Sequence, residues 1–268
     1  MSSPLPVSVR PARVLRVLLG AVAVLLVLSV AGQFSRFVLD HGRLLGFVEE
    51  FNVDLENNIP TYFSGVLLMA AALLAGFVAW TRRRLGRPFG RYWAGLAVGL
   101  AYISVDEVAE LHERAISPLR AALGADGLLY YAWVVPAAAI LLVLAVVYAR
   151  FFWHLPWRWK GWFAAAGGVY IGGALGVEMI GGLYASQYGI ETFSYSLITT
   201  VEEGLEMVGV VLFLYAGLMY LRAEGLQFHV RLTGGRDRPA VESNEAGEVD
   251  ARTEAADEHS RAAAPSPS

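Results

Sequence analysis

Six apolar blocks, each close to or above the roughly 20 residues a helix needs to cross a bilayer, leave this chain little choice of fold. They lie at about 13–33, 62–80, 92–111, 130–150, 162–184 and 194–221. Within them the apolar residues run in long stretches rather than in amphipathic stripes, and 56% of the 268 residues are hydrophobic. The expected fold is all-α: a polytopic membrane helix bundle of six transmembrane helices over residues 13–233, behind a short segment 1–12. Residues 234–268 change character. They are rich in Ala, Glu, Asp, Arg, Ser and Pro, cannot bury enough apolar surface to fold, and are expected to form a disordered tail. The tail carries eight acids and four Arg, so the acidic balance of the chain resides there. Nothing favours nucleic acid as a partner; the partner implied is the lipid bilayer.

Basic residues set the expected orientation. Arg10, Arg13 and Arg16 precede the first block, and Arg82, Arg83, Arg84, Arg87 and Arg91 separate the second from the third. Arg150, Arg158 and Lys160 separate the fourth from the fifth, and Arg222 and Arg231 follow the sixth. The alternate connections hold only Arg36 and Arg43, then Arg114 and Arg120. Both termini are therefore expected in the cytoplasm, with the protein in the cell's inner membrane. A competing reading takes the first block as a signal peptide cleaved after Ser29-Val30-Ala31, leaving five spans. There is no cysteine, which excludes disulfides, thiolate metal sites and cysteine nucleophiles.

The first outer connection, about 34–61, mixes apolar and acidic residues at Phe47–Phe51 and Val53–Glu56, as a helix lying in the interface would. Glu49, Glu50, Asp54 and Glu56 read as a solvated acidic face, or as a vestibule attracting cations. Asn57-Asn58-Ile59-Pro60 reads as a turn that starts the second span at Pro60. Seven Trp, at positions 80, 93, 133, 153, 157, 159 and 162, fall near span ends as aromatic-belt residues do. Gly168, Gly172 and Gly176 form a stripe that would let a neighbouring helix approach the fifth span.

Two acidic words stand out inside the blocks. Ser104-Val105-Asp106-Glu107-Val108-Ala109-Glu110 and Thr200-Val201-Glu202-Glu203-Gly204-Leu205-Glu206 share the pattern hydroxyl-Val-acid-Glu-x-x-Glu. A charged group at a helix centre costs roughly 2.5–3.5 kcal/mol on the insertion scale, so it is rare there without a role. The third span runs outward and the sixth inward, which puts Asp106, Glu107, Glu110, Glu202, Glu203 and Glu206 on the outer side, together with Glu178 and His112. Helical phase places Asp106, Glu110 and Glu113 on one face, and Glu202, Glu203 and Glu206 on another.

Spans three, five and six contain no Lys or Arg. Two carboxylates 4 Å apart repel by about 4 kcal/mol at an effective dielectric near 20. These acids must therefore hold protons, pair with outer-loop arginines, or bind a cation. A set of hard oxygen donors with one imidazole suits a divalent ion such as Fe, Mn, Mg or Ca better than Zn. The expected ligands are Asp106, Glu107, Glu110, Glu202, Glu203 and Glu206, with His112 and Glu178 as outer members. A four-helix di-iron site is a poorer match. It uses two Glu-x-x-His motifs, whereas His112 follows Glu110 by two residues and has no counterpart.

Glu107-Val108-Ala109-Glu110 and Glu203-Gly204-Leu205-Glu206 resemble the paired Glu-x-x-Glu signatures of oxidase-coupled iron permeases. The resemblance covers some eight residues and implies cation handling. Where that family has an Arg before the first Glu, this chain has Asp106 and Glu202. The whole pattern also resembles uncharacterised bacterial multipass membrane proteins. The expected function is transport or sensing of a divalent cation through an outward-facing carboxylate site. The alternatives are a metal-dependent membrane enzyme acting on a lipid or quinone-like substrate, and a proton-titrating or structural partner protein without metal. An enzyme would need a lateral opening to lipid beside the acids; a permease would need a polar path continuing inward.

Overall fold

Proline fixes the starts of the first two long helices. Pro11 heads α1 (Pro11–Phe37), where its missing N–H is no loss. Pro60 does the same for α3 (Ile59–Arg84), whose N-cap Asn58 accepts from the Thr61 N–H at 3.1 Å. The computed structural model describes residues 10–42 and 44–225. Arg43, Arg231 and the tail expected at 234–268 thus lie outside the described residues. Among the described residues the structure is all-helical, without strands.

A short α2 (Phe47–Phe51) lies between α1 and α3. It is anchored on α1. Val48 is buried, with its backbone close to Gly32 of α1, and the Ser29 hydroxyl accepts from the Val53 N–H. After α3 come α4 (Gly90–Ala109), α5 (Leu111–Leu123), α6 (Val134–His154) and α7 (Trp157–Ile171). A π-helical segment, Gly172–Val177, joins α7 to α8 (Glu178–Tyr188), and α9 (Phe193–Ala223) follows.

Five stretches among the described residues are long and apolar enough to cross a membrane: α1, α3, α6, the run from α7 through α8, and α9. The third expected span is α4, which falls outside the five. Arg91 at its head and Asp106 and Glu107 near its end lower its hydropathy. At Glu110 the backbone turns left-handed (φ 54°) and α4 stops. Glu113 therefore lies on a different helix from Asp106, and the expected shared face of Asp106, Glu110 and Glu113 does not form. The connection that follows is not a plain loop. On α5, Leu111, Ala115, Ile116, Leu119, Ala122 and Leu123 fall within about 140°, with Glu113, Arg114, Ser117 and Arg120 opposite, and none of its residues is buried.

The core lies between α3 and α9. Over half of each one's most apolar stretch is buried, against 11% for α6 and for α7–α8. Leu68, Val78, Met207 and Val211 are almost fully enclosed there. Trp93 of α4 joins them, ringed by Phe151, Phe163 and Tyr220, and Trp159 is buried too. These two are core residues rather than belt residues; Trp80, Trp153 and Trp157 are exposed, as belt residues are.

Close helix approach uses glycines other than the expected stripe. A side chain at Gly168, Gly172 or Gly176 would meet nothing within 4 Å. At Gly173 a Cβ would lie 2.8 Å from the Glu202 carbonyl, and at Gly209 it would lie 2.7 Å from the Tyr170 backbone nitrogen. The physical reason is phase: Ala166, Tyr170 and Gly173 share the face toward α9 at ordinary helical spacing, and the stripe lies on the opposite side.

Charge divides the bundle by its ends. Arg82 donates to the Tyr220 hydroxyl and Arg87 pairs with Glu224, while Phe89 packs on His154 at 5.0 Å. The α3–α4 turn and the ends of α6 and α9 thus meet at one basic end. α1 runs antiparallel to α9, with Leu26 against Gly204 and Phe34 against Phe193, so Arg13 and Arg16 belong to that end as well. The α1–α3 connection, the α4–α5 break, α8 and the start of α9 form the other, acidic end.

Candidate functional site

Four helices and one connection deliver acids to the acidic end. On α4, Asp106 accepts from the His112 backbone N–H at 3.0 Å and faces His112 Nδ1 at 2.8 Å. The left-handed turn at Glu110 makes this possible, because it carries the chain back over the end of its own helix. The His112 ring packs on Trp133 at 4.7 Å. Trp133 in turn donates its indole N–H to Glu178 Oε1 at 3.0 Å. Glu178, at the first position after the π segment, lies within hydrogen-bonding reach of Glu202 on α9. Two carboxyls can make that contact only when one of them carries a proton.

One residue further along α4, Glu107 turns the other way, toward the core. There it lies near Ser64 of α3, and Glu206 of α9 lies near the Tyr170 hydroxyl of α7. These four residues line one small cavity, closed by Leu67, Leu68, Met207 and Val210, with room for a water-sized occupant. Gly209, one turn beyond Glu206, lets α7 come close enough for Tyr170 to reach it. Glu203 is half-buried and lies within the fields of Glu206, Glu107, Glu56 and Asp54.

The α1–α3 connection brings its own acids into this region. Asn58 donates its amide N–H to the carbonyls of Asn52 and Leu55, knotting the segment between them. Glu56 has one carboxylate oxygen buried without a partner. Desolvation, then the neighbouring Glu107 and Glu113, push its pKa up to about 8. Asp54 is pushed up to about 7 by desolvation and by Glu113, Glu178 and Glu191, with Arg36 opposing. Burial also raises Glu113, against the pull of His112. Glu56 is thus more than part of a solvated face, while Asp54 remains exposed.

The expected ligands separate into small groups. Glu107 shares a cavity with Glu206, Glu178 meets Glu202, and Asp106 meets His112. Glu110 stands apart, accepting from the Asn57 amide at 3.0 Å. Among the described residues no three His, Asp or Glu side chains are grouped as a metal ion would need. Nor does any ion pair there join a span acid to Lys or Arg; Arg36 pairs with Glu191, and Arg120 lies over the Tyr130 ring. Three partners escaped sequence reasoning. Ser64 and Tyr170 are hydroxyls of a kind common in spans, and Trp133 looked like a belt residue. The signal that could have found Tyr170 is its place one turn before Gly173.

A family model described as a domain of unknown function (DUF8692) matches residues 17–220. No curated protein and no solved structure matches the chain.

Proposed function

We propose, for a chain that belongs to the family described as a domain of unknown function (DUF8692), that it is a six-span inner-membrane protein handling a divalent cation from the outer side. In this reading α4 is the third span and brings the number to six, packed along α3. The arginine-bearing end faces the cytoplasm, together with both termini. α1 is retained rather than cleaved, since its Val22 and Leu25 belong to the core between α3 and α9.

One observation carries the reading: a water-sized cavity at membrane depth lined by oxygen groups from four helices, Ser64, Glu107, Tyr170 and Glu206. Hard oxygen donors of this kind suit Mg, Ca, Mn or Fe. Asp54, Glu56 and Glu203 would draw the cation in, and Glu178, Glu202, Asp106, His112 and Glu110 would surround its entrance. The test is elemental analysis of the detergent-purified chain after loading with Mn²⁺, beside a Glu107→Gln/Glu206→Gln double variant. About one metal per chain, absent from the double variant, is the expected result. Metal absent from both would overturn it.

The Glu178–Glu202 contact favours a second reading, in which these acids hold protons and no metal. That outcome would leave proton titration as the property to measure, by the protons released when the protein in detergent is taken from pH 5 to pH 9.

A further inference from the structure

The short helix α5 is joined to the bundle through left-handed residues on both sides. Glu110 (φ 54°) separates it from α4, and Gly124 (φ 58°) and Gly127 (φ 60°) follow it before α6. A few such residues at the ends of an element are where a chain swings without unwinding its helices. Inside α5, Pro118 brings no N–H to the Arg114 carbonyl, which weakens the helix. Among the described helices, α4 is the one whose backbone α5 approaches at more than a residue or two, and the two are consecutive.

The seating of α5 is nonetheless directional. Ala115, Ile116 and Leu119 share a face with His112 within about 100° and are half-buried, while Arg114, Ser117 and Ala121 on the far side are exposed. The apolar face thus turns toward the bundle, although none of α5 is fully buried. Side chains do the holding. His112 meets Asp106 at 2.8 Å and packs on Trp133 at 4.7 Å, and Arg120 lies 4.4 Å from the centre of the Tyr130 ring. Acids surround the first turn: Glu113 lies within the fields of Asp54 and Glu56 from the α1–α3 connection, Asp106 from α4 and Glu178 from α8.

We propose that α5 is a hinged lid over the acidic end, latched at His112 and Arg120 and closed in this structure. A segment with few buried contacts opens locally at a far smaller cost than the whole fold. The two latches sit in the first and last turns, so releasing either one lets the helix pivot about the other. The His112 latch also rests on the entrance itself, because Trp133 beneath it donates to Glu178, which meets Glu202. Swinging α5 aside uncovers these residues to the outer solution. That the lid admits a cation rests on the proposed function; its movement does not.

The chain has no cysteine, so spin labels placed by Ser117→Cys on α5 and Tyr188→Cys at the exposed end of α8 report the lid alone. Pulsed electron–electron double resonance on the full chain in detergent should give one narrow distance. Adding His112→Ala should broaden it and move its mean by about 10 Å, half the length of a 13-residue helix. Arg120→Ala should act in the same direction from the other latch. The same distribution in all three would overturn the proposal. A short bis-maleimide joining Arg120→Cys to Tyr130→Cys fastens the lid, and should slow Mn²⁺ uptake about tenfold relative to the unlinked variant. An unchanged rate would overturn the lid's place over the site. A chain that takes up no Mn²⁺ at all sinks the cation reading, and the spin-label distances then decide the lid on their own.

Discussion

The two ends of this bundle settle their charges in opposite ways. At the basic end Arg82 and Arg87 reach Glu224 and Tyr220, and Arg84, Arg158 and Lys160 lie over the Trp80, Trp159 and Trp153 rings. These five cations each have an anion, a hydroxyl or a π face. At the acidic end carboxyls meet carboxyls, hydroxyls, an amide, an imidazole and one indole, and among the described residues no Lys or Arg pairs with the span acids. The basic end thus meets much of its charge from within the protein. The acidic end is complete only with something more, a proton or a cation, and on that difference the proposed function rests.

The strongest way to break the contrast is to move α7 off α9. A side chain at Gly209 would press on the Tyr170 backbone at 2.7 Å, which a helix cannot yield locally. Gly209→Leu should cost about 1–3 kcal/mol by overpacking and pull the Tyr170 hydroxyl away from Glu206. Thermal unfolding in detergent reads the first effect, and loss of bound Mn²⁺ reads the second. Stability and Mn²⁺ content both unchanged would mean that this contact does not hold the cavity together.

A smaller effect sharpens the contrast through pH. Glu56 and Asp54, raised to about 8 and about 7, bind protons more tightly in the folded chain than in the unfolded one. Between roughly pH 4 and pH 8 the folded state therefore carries the extra protons, and stability falls as pH rises through that window. Solvent screening at this partly open site tempers the size, so Tm should drop by about 2 °C from pH 5 to pH 8. Glu56→Gln, which needs no proton, should flatten the slope. A slope that is equal or steeper in Glu56→Gln would assign it to other groups.

What could be read in advance was what lipid makes expensive. The long apolar blocks, the arginine bias and the acidic words were visible because hydrocarbon penalises every departure from apolar sequence. The Asn58–Pro60 helix start was visible from capping chemistry. Phase was not. The face of Ala166, Tyr170 and Gly173 meets α9 instead of the Gly168–Gly172–Gly176 stripe, and a left-handed Glu110 ends α4. Neither which face meets a neighbour nor a single left-handed residue leaves a mark on composition. The partners Ser64 and Tyr170 were hidden for a related reason, since a hydroxyl in a span can satisfy itself locally and so signals nothing.

The smallest expected effect lies at the opposite end and is the control for all of this. Arg87 pairs with Glu224 on a partly exposed surface, where an ion pair contributes about 0–1 kcal/mol and is weakened by salt. Arg87→Ala should lower Tm by no more than a few degrees in low salt, and by less at 0.5 M NaCl. Its metal content should match wild type. A larger loss, or one that persists in high salt, would mean that the basic end is as finely balanced as the acidic one. The contrast between a closed set of charges and an open one would then fail at the end where it looks most secure.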